Sequence, residues 1–203
     1  MTTTYITPLL PVTTTMFETA RVGIAQHAPG LPSLTWDRFT DTTQWTLIPD
    51  DRGALSKAET TLLRTKFRTV RLNIWFRADL RGGDKPMPHS HPWESFTAHV
   101  LAHGYTEDRY DVTEHGLAVP TYGVTHESPG TNRVDHATYH EVTEVHEPGA
   151  TLSLMVCGAG RRGDWGSGCG QRATPAGAAR SRLHRDAARA QSAPGRAVTV
   201  TCS

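Results

Sequence analysis

The alternation of apolar and polar residues changes character along the chain. From Val70 the period is two. In RLNIWFRAD (71–79), Leu72, Ile74, Phe76 and Ala78 take one face, and Arg71, Asn73, Trp75, Arg77 and Asp79 take the other. RGGDKPMP then reads as a turn. Strand-like runs follow at FTAHVLAHGYTE, RYDVTEH, LAVPTYG, NRVDHATYHEV and ATLSLMVCG, most of them separated by the turn signals HG, SPG and EPG. Many short strands at this spacing predict an all-β antiparallel barrel or sandwich.

Upstream the pattern is less regular. Residues 1 to about 50 are rich in Thr and Pro, with scattered anchors such as Met16, Phe17, Ile24, Trp36, Phe39 and Trp45. They predict loops, with a short strand and helix packing on a larger body. SKAETTLLRTKFRT (56–69) is the best helix candidate, because Ser56 can cap, Glu59 completes a capping box, and Leu62, Leu63 and Phe67 recur on one face. After Gly160 the chain becomes Ala, Arg, Gly, Pro and Ser with hardly any large apolar residue, too little to offset the entropy of ordering. The expected organisation is a lead-in with one helix (1–69), a β domain (70–165), and a low-complexity, disordered tail without a catalytic role (166–203).

Composition narrows the function classes. The 203 residues carry a formal net charge of +1, so charge gives no reason to expect nucleic acid or an anionic membrane as partner. No apolar run approaches the ~20 residues of a spanning helix. MTTTYITPLLPVTTTMF lacks a basic start and is broken by prolines, which makes a poor signal peptide. The three cysteines, Cys157, Cys169 and Cys202, are late and irregularly spaced and suggest neither a disulfide framework nor a zinc knuckle. A cytoplasmic protein is the expectation.

Histidine is the outlier, with 11 in the chain and most of them between His89 and His146. In PMPHSHPWESF (86–96), His89 and His91 stand at i and i+2, so on a strand they project together, as two ligands of one metal must. One strand seldom supplies a third direction. DHATYHEVTEVHEPGATLSL offers it, with His140 on a strand before a turn. A facial set of His89, His91 and His140 would leave positions open for dioxygen or substrate, an arrangement that suits non-haem iron. For His99, His103, His136 and His146, ordinary core or surface positions are the simpler reading.

HSHPWESFTAHVLAHGYTEDRY resembles the first motif of the cupin superfamily, and YHEVTEVHEPGATLSLMVCG resembles the second. The resemblance covers about residues 70 to 165. It implies a double-stranded β-helix (jelly-roll) barrel enclosing one divalent metal, Fe(2+) foremost. The ligand pattern is most similar to thiol-dioxygenase-like cupins, in which three histidines bind the metal. His89 and His91 match the His-x-His pair and His140 matches the later histidine. The superfamily's glutamate falls four or five residues after the second histidine, where this chain has Ser95 and Phe96; Glu94 comes one place too early. His103-Gly104-Tyr105 stands where many relatives have Gly-Gly-Tyr. Ser153-Leu154-Met155-Val156-Cys157 keeps the serine of the thiol dioxygenases' Ser-x-His-x-Tyr run and lacks its histidine and tyrosine, which argues against cysteine oxidation.

Around this set, Glu94 is a candidate general base and Tyr105 a candidate catalytic residue at the cavity mouth. Trp75 and Arg77 are candidate substrate contacts, with Arg77 able to clamp a carboxylate if its face is the barrel interior. The alternative, slightly favoured, puts that face in solvent and Leu72, Ile74 and Phe76 inside. On the resemblance, Ser153 and Met155 line the cavity. The expected activity is oxygen-dependent oxidation of a small organic molecule, with dioxygen and that substrate as the partners and a homodimer allowed. A metal-dependent isomerase, lyase or cyclase and a nonenzymatic small-molecule-binding cupin are the alternatives.

Overall fold

The computed structural model describes residues 3–50, 52–79, 88–112, 117–160 and 198–199. The chain opens with a hairpin of β1 (Thr3–Thr7) and β2 (Leu10–Thr13), followed by α1 (Thr14–His27) and the short α2 (Trp36–Thr40). Then come β3 (Trp45–Pro49), β4 (Leu55–Arg64), β5 (Thr69–Trp75), β6 (Ser95–Ala102), β7 (Gly104–Val112), β8 (Leu117–Glu127), β9 (Gly130–Asp135), β10 (Thr138–Val145) and β11 (Thr151–Cys157). A last pair of residues, β12 (Val198–Thr199), lies along β8. The rest of the tail, with the expectation of disorder placed on it, falls outside the described residues. Among those described, no helix is long and apolar enough to cross a membrane.

One sheet has the order β3-β4-β5-β11-β6-β9 and the other β10-β7-β8-β12, with every pairing antiparallel. His89 adds an isolated antiparallel bridge to His140 on the free side of β10. The two four-strand sets are thus β5-β11-β6-β9 and His89 segment-β10-β7-β8. From β5 onward, and apart from the β7–β8 hairpin, successive strands cross between the sheets in the way that winds a double-stranded β-helix, or jelly roll. The fold is all-β, a double-stranded β-helix (jelly-roll) barrel.

The helix expected over 56–69 is not there. Leu55–Arg64 is β4, hydrogen-bonded to β3 on one side and β5 on the other. Ser56, Ala58 and Thr60 are buried alternately, which is the period of a strand. The capping pattern was real but local. Sheet pairing on both sides of a segment containing Thr60, Thr61, Leu62 and Leu63 outweighs it.

The helix that does form is α1, from a stretch the sequence left mostly to loops. The Thr13 hydroxyl accepts the Met16 amide at 3.2 Å, capping its start. Met16, Ala20, Gly23 and Ile24 form its buried stripe. They share a core with Leu72 and Ile74 of β5 and Leu152 and Leu154 of β11. Each such aliphatic side chain, fully buried, contributes roughly 1.5–3 kcal/mol. A Cβ on Gly23 would meet the Leu101 side chain at 2.6 Å, so a larger residue there would require Leu101 to move.

This packing corrects the reading of β5. Its Leu72/Ile74 face is buried in the core shared with the N-terminal elements, yet the opposite face is not solvent. Trp75 is 7% exposed and packs with Val100, Tyr105, Val142 and Val145, drawn from both sheets, so this face is the barrel interior. The N-terminal elements on one side and the second sheet on the other bury both faces of the strand.

Candidate metal centre

His89 and His91 lie in the segment that closes the barrel beside β10. The His89 amide donates to the His140 carbonyl, and the His140 amide donates to the His89 carbonyl, both at 2.9 Å. That reciprocal pair sets the register, and it brings the histidines of the two motifs side by side. The ring centroids of His89 and His91 are 4.9 Å apart, those of His89 and His140 5.1 Å, and those of His91 and His140 5.0 Å. One nitrogen from each of the three falls within 4.8 Å of the others. His89 and His140 are buried, and His91 is partly accessible.

The orientation of His140 is held from behind. Its Nδ1 lies 2.7 Å from Oε2 of Glu107, a fully buried carboxylate on β7. The same carboxylate receives the His126 Nε2 at 3.0 Å and the Asn132 amide at 2.9 Å, and it is 3.4 Å from Arg109 Nε. Burial raises its pKa, but the hydrogen bonds and charge of His126 and His140 outweigh that and bring it down to about 2. Glu107 is therefore ionised at neutral pH and can only accept. The proton of a neutral His140 must sit on Nδ1, which leaves Nε2 bare.

The bare His140 Nε2 points at His91 Nε2, 2.8 Å away. Two lone pairs cannot share that distance without a proton or a cation between or beside them. Three imidazoles that converge in this way, one with its free nitrogen fixed by a carboxylate, match the donor chemistry of a divalent transition-metal site. The residues present fit such an ion.

Aromatic groups wall the site. Trp93 stacks on His91 at 5.6 Å and 20°, and Phe96 stands edge-on to the same ring at 4.7 Å. Trp93, Phe96, Ala98, Val134, Met155 and Cys157 form one buried cluster. The Arg71 guanidinium lies over the Trp93 ring at 5.1 Å and pairs with Glu59 at 3.0 Å.

The remaining residues singled out from sequence divide in two. Trp75, Ser153, Met155 and Tyr105 are all buried in the barrel. The Trp75 indole donates to Ser153 Oγ at 2.9 Å, and Asn132 donates to the Tyr105 hydroxyl at 3.1 Å. Burial, with the Glu107 charge, pushes the Tyr105 pKa up, so it is a neutral phenol. Tyr105 is therefore inside the wall and not at a mouth. Arg77 and Glu94 stand apart. Arg77 has a side chain 58% exposed and lies 3.6 Å from Asp50, because β5 ends at Trp75 and the backbone turns away before it. Glu94 is exposed and lies outside the three-histidine group, in the bend between the Trp93 bridge and β6. A base on the metal side would have to come from elsewhere.

His103 and His136 are exposed. His146 is half-buried and bonds Thr106 at 3.0 Å, and His99 stacks on His27 of α1 at 3.9 Å. Sequence reasoning missed Glu107, His126 and Asn132, and it placed Arg71 on the face of Trp75 without a role of its own. One signal was available for Glu107: it shares the β7 face of Tyr105, and a carboxylate on an inward face is unusual.

Strand pairing and the histidine set together define a double-stranded β-helix (jelly-roll) barrel with a candidate three-histidine metal centre. No protein-family model matches the chain, and no curated protein matches it. Solved structures with an overlapping fold include KdgF from a Halomonas species, at 15% identity over 58% of this chain and 88% of that one, with a TM-score of 0.37. An RmlC-like cupin family protein from Methanocaldococcus jannaschii overlaps at 12% identity, 57% and 88% coverage, and a TM-score of 0.37. Hydroxypropylphosphonic acid epoxidase from S. wedmorenis does so at 9% identity, 57% and 56% coverage, and a TM-score of 0.36. Likeness of this degree leaves the chain's own strand pairing as the basis for its fold.

Proposed function

We propose that this chain is a cupin-type, mononuclear non-haem metal oxygenase acting on a small organic molecule, with Fe(II) held by His89, His91 and His140. The observation that carries the reading is the convergence of three imidazole nitrogens, with His140 Nε2 kept bare by Glu107. When bound, the metal would supply Lewis acidity and, as iron, electron exchange with dioxygen at positions the three histidines leave open.

The protein's own residues do the rest. Trp93 and Phe96 close the ligand face against water, which strengthens electrostatic interactions inside. Met155 and Cys157 make the wall nearest this aromatic pair soft and apolar, a surface suited to a weakly polar substrate. Trp75 and Ser153 hold the interior further along the barrel. With Glu94 in solvent, the ligand set is three histidines without a carboxylate, and the negative charge comes from Glu107 one layer out.

The test has two stages. Metal analysis of the purified protein beside His140→Ala should show about one equivalent against almost none; equal metal in both would sink the site. Nitric oxide, as a dioxygen surrogate, should then give a half-integer-spin EPR signal with anaerobic Fe(II)-loaded protein. Metal binding without that signal would turn the reading towards nonredox chemistry such as isomerisation.

A further inference from the structure

Glu107 has more partners than a carboxylate packed for stability alone would require. It sits on β7, fully buried, and receives donors from β10 (His140), β8 (His126) and β9 (Asn132), with Arg109 of its own strand alongside. Burying one ion at this depth is unfavourable unless the partners are arranged around it. Here they are arranged asymmetrically. The shortest contact, 2.7 Å, goes to the ring whose other nitrogen faces the His91 nitrogen, and His126 and Asn132 anchor the carboxylate from the far side.

We infer that Glu107 is a positioning residue for the metal centre: it fixes His140 in the Nδ1–H tautomer, aims Nε2 at the ion, and supplies from behind the ligands the negative charge that the ligand set lacks. This deepens the proposed function and rests on its metal site. Three neutral imidazoles leave a divalent ion with its full charge. A carboxylate hydrogen-bonded to one imidazole draws that ring towards imidazolate character, which raises its basicity as a ligand and lowers the effective charge at the metal. Asn132 links the same carboxylate to the Tyr105 hydroxyl, and His126 links it to β8. The position of the ligand ring is therefore set by both neighbours of β7 and not by β10 alone.

Two structural features make the role specific to the ligand. Among the described residues, the Asp79 carboxylate lies 3.8 Å from His89 Nε2, a looser contact than a hydrogen bond requires. Glu107, by contrast, approaches the Nδ1 side of its histidine and so leaves the metal-facing nitrogen untouched.

The experiment combines wild-type spectroscopy with one isosteric variant. Protein labelled with nitrogen-15 in histidine and loaded with zinc should show, by long-range proton–nitrogen NMR, one metal-bound imidazole with a slowly exchanging Nδ1 proton and a coordinated Nε2. Assigned by through-bond correlation from the ring to its own backbone, in protein also labelled with carbon-13, that signal belongs to His140. An Nδ1-coordinated or Nε2-protonated His140 overturns the inference without any variant at Glu107. Glu107→Gln keeps the shape and removes the charge. With its far-ultraviolet dichroism unchanged, it should bind Co(II) roughly 10- to 100-fold more weakly in competition with a chelator. Its Co(II) visible bands should also shift, which a merely structural role would not cause. Equal affinity and identical bands in Glu107→Gln overturn the inference and leave the metal site standing. Failure of the wild type to load zinc or Co(II) removes the metal reading and this inference together. Should Glu107→Gln not fold, the wild-type tautomer decides.

Discussion

The indole N–H of Trp75 donates to Ser153 Oγ at 2.9 Å, and the amide of Asn73 donates to the same oxygen at 3.3 Å. One serine hydroxyl thus serves two buried donors on β5 from its place on β11, directly opposite Asn73 in the strand register. Ser153→Ala removes the acceptor and strands both donors in the barrel. The expected loss is about 1–3 kcal/mol, read as a lower midpoint in urea with an unchanged slope. A neutral result would mean that water replaces the hydroxyl.

His103 and Gly104 make a second prediction with opposite signs at adjacent positions. His103 adopts φ 55°, the left-handed region that glycine enters without cost, and its side chain is exposed. His103→Gly should leave stability unchanged or raise it by up to about 1 kcal/mol, since relieved strain and added chain entropy oppose each other. A Cβ on Gly104 would run into the His126 carbonyl and meet the His146 ring at 2.8 Å. Gly104→Ala should therefore lower the thermal midpoint markedly and, by displacing His126, weaken metal binding. Equal midpoints for the two variants would contradict the geometry.

Cys157 gives a chemical prediction. Burial pushes its thiol up to about 12, with Arg71 opposing and Glu59 adding to the rise. At pH 8 roughly one such thiol in ten thousand is ionised, against about a quarter for an ordinary cysteine. Iodoacetamide should leave the peptide carrying Cys157 unmodified in folded protein and label it in urea. Rapid labelling of the native protein at pH 8 would show that the cluster around Met155 and Phe96 opens.

Metal binding should also be visible as stability. An ion that binds the folded chain alone stabilises it by about 2.7 kcal/mol at a hundred times its dissociation constant. Zinc should raise the thermal midpoint by several degrees, a chelator should reverse the rise, and His89→Ala should abolish it. A zinc-induced rise that survives in His89→Ala would place the ion elsewhere.

Much of the barrel was legible in the sequence because β-strand burial has a short, strict period. Alternation over 71–79 and the turn signals after His103, Ser128 and Glu147 marked the strands and most of their ends. The two histidine motifs were legible for the same reason, since i and i+2 on extended chain share a side wherever the segment lies. The helix over 56–69 failed where a local signal met a tertiary one. A capping box describes one turn of backbone, while β4 is held along its length by β3 and β5. Sequence patterning also assumes one buried face per strand, so it could not show that β5 is covered on both.

What the sequence determined by itself is therefore most of the strands after Val70, the fold class they imply, and the three imidazoles that answer one another across the chain. What only the tertiary structure decided is their setting. Glu107 lies 33 residues from His140 in sequence and touches it because β7 and β10 are neighbours in the sheet. Glu94 stands beside the histidine pair in sequence and faces solvent because the chain bends before β6. Proximity along the chain constrains direction only within an element. Beyond it, strand pairing and burial choose which carboxylate stands behind the ligands.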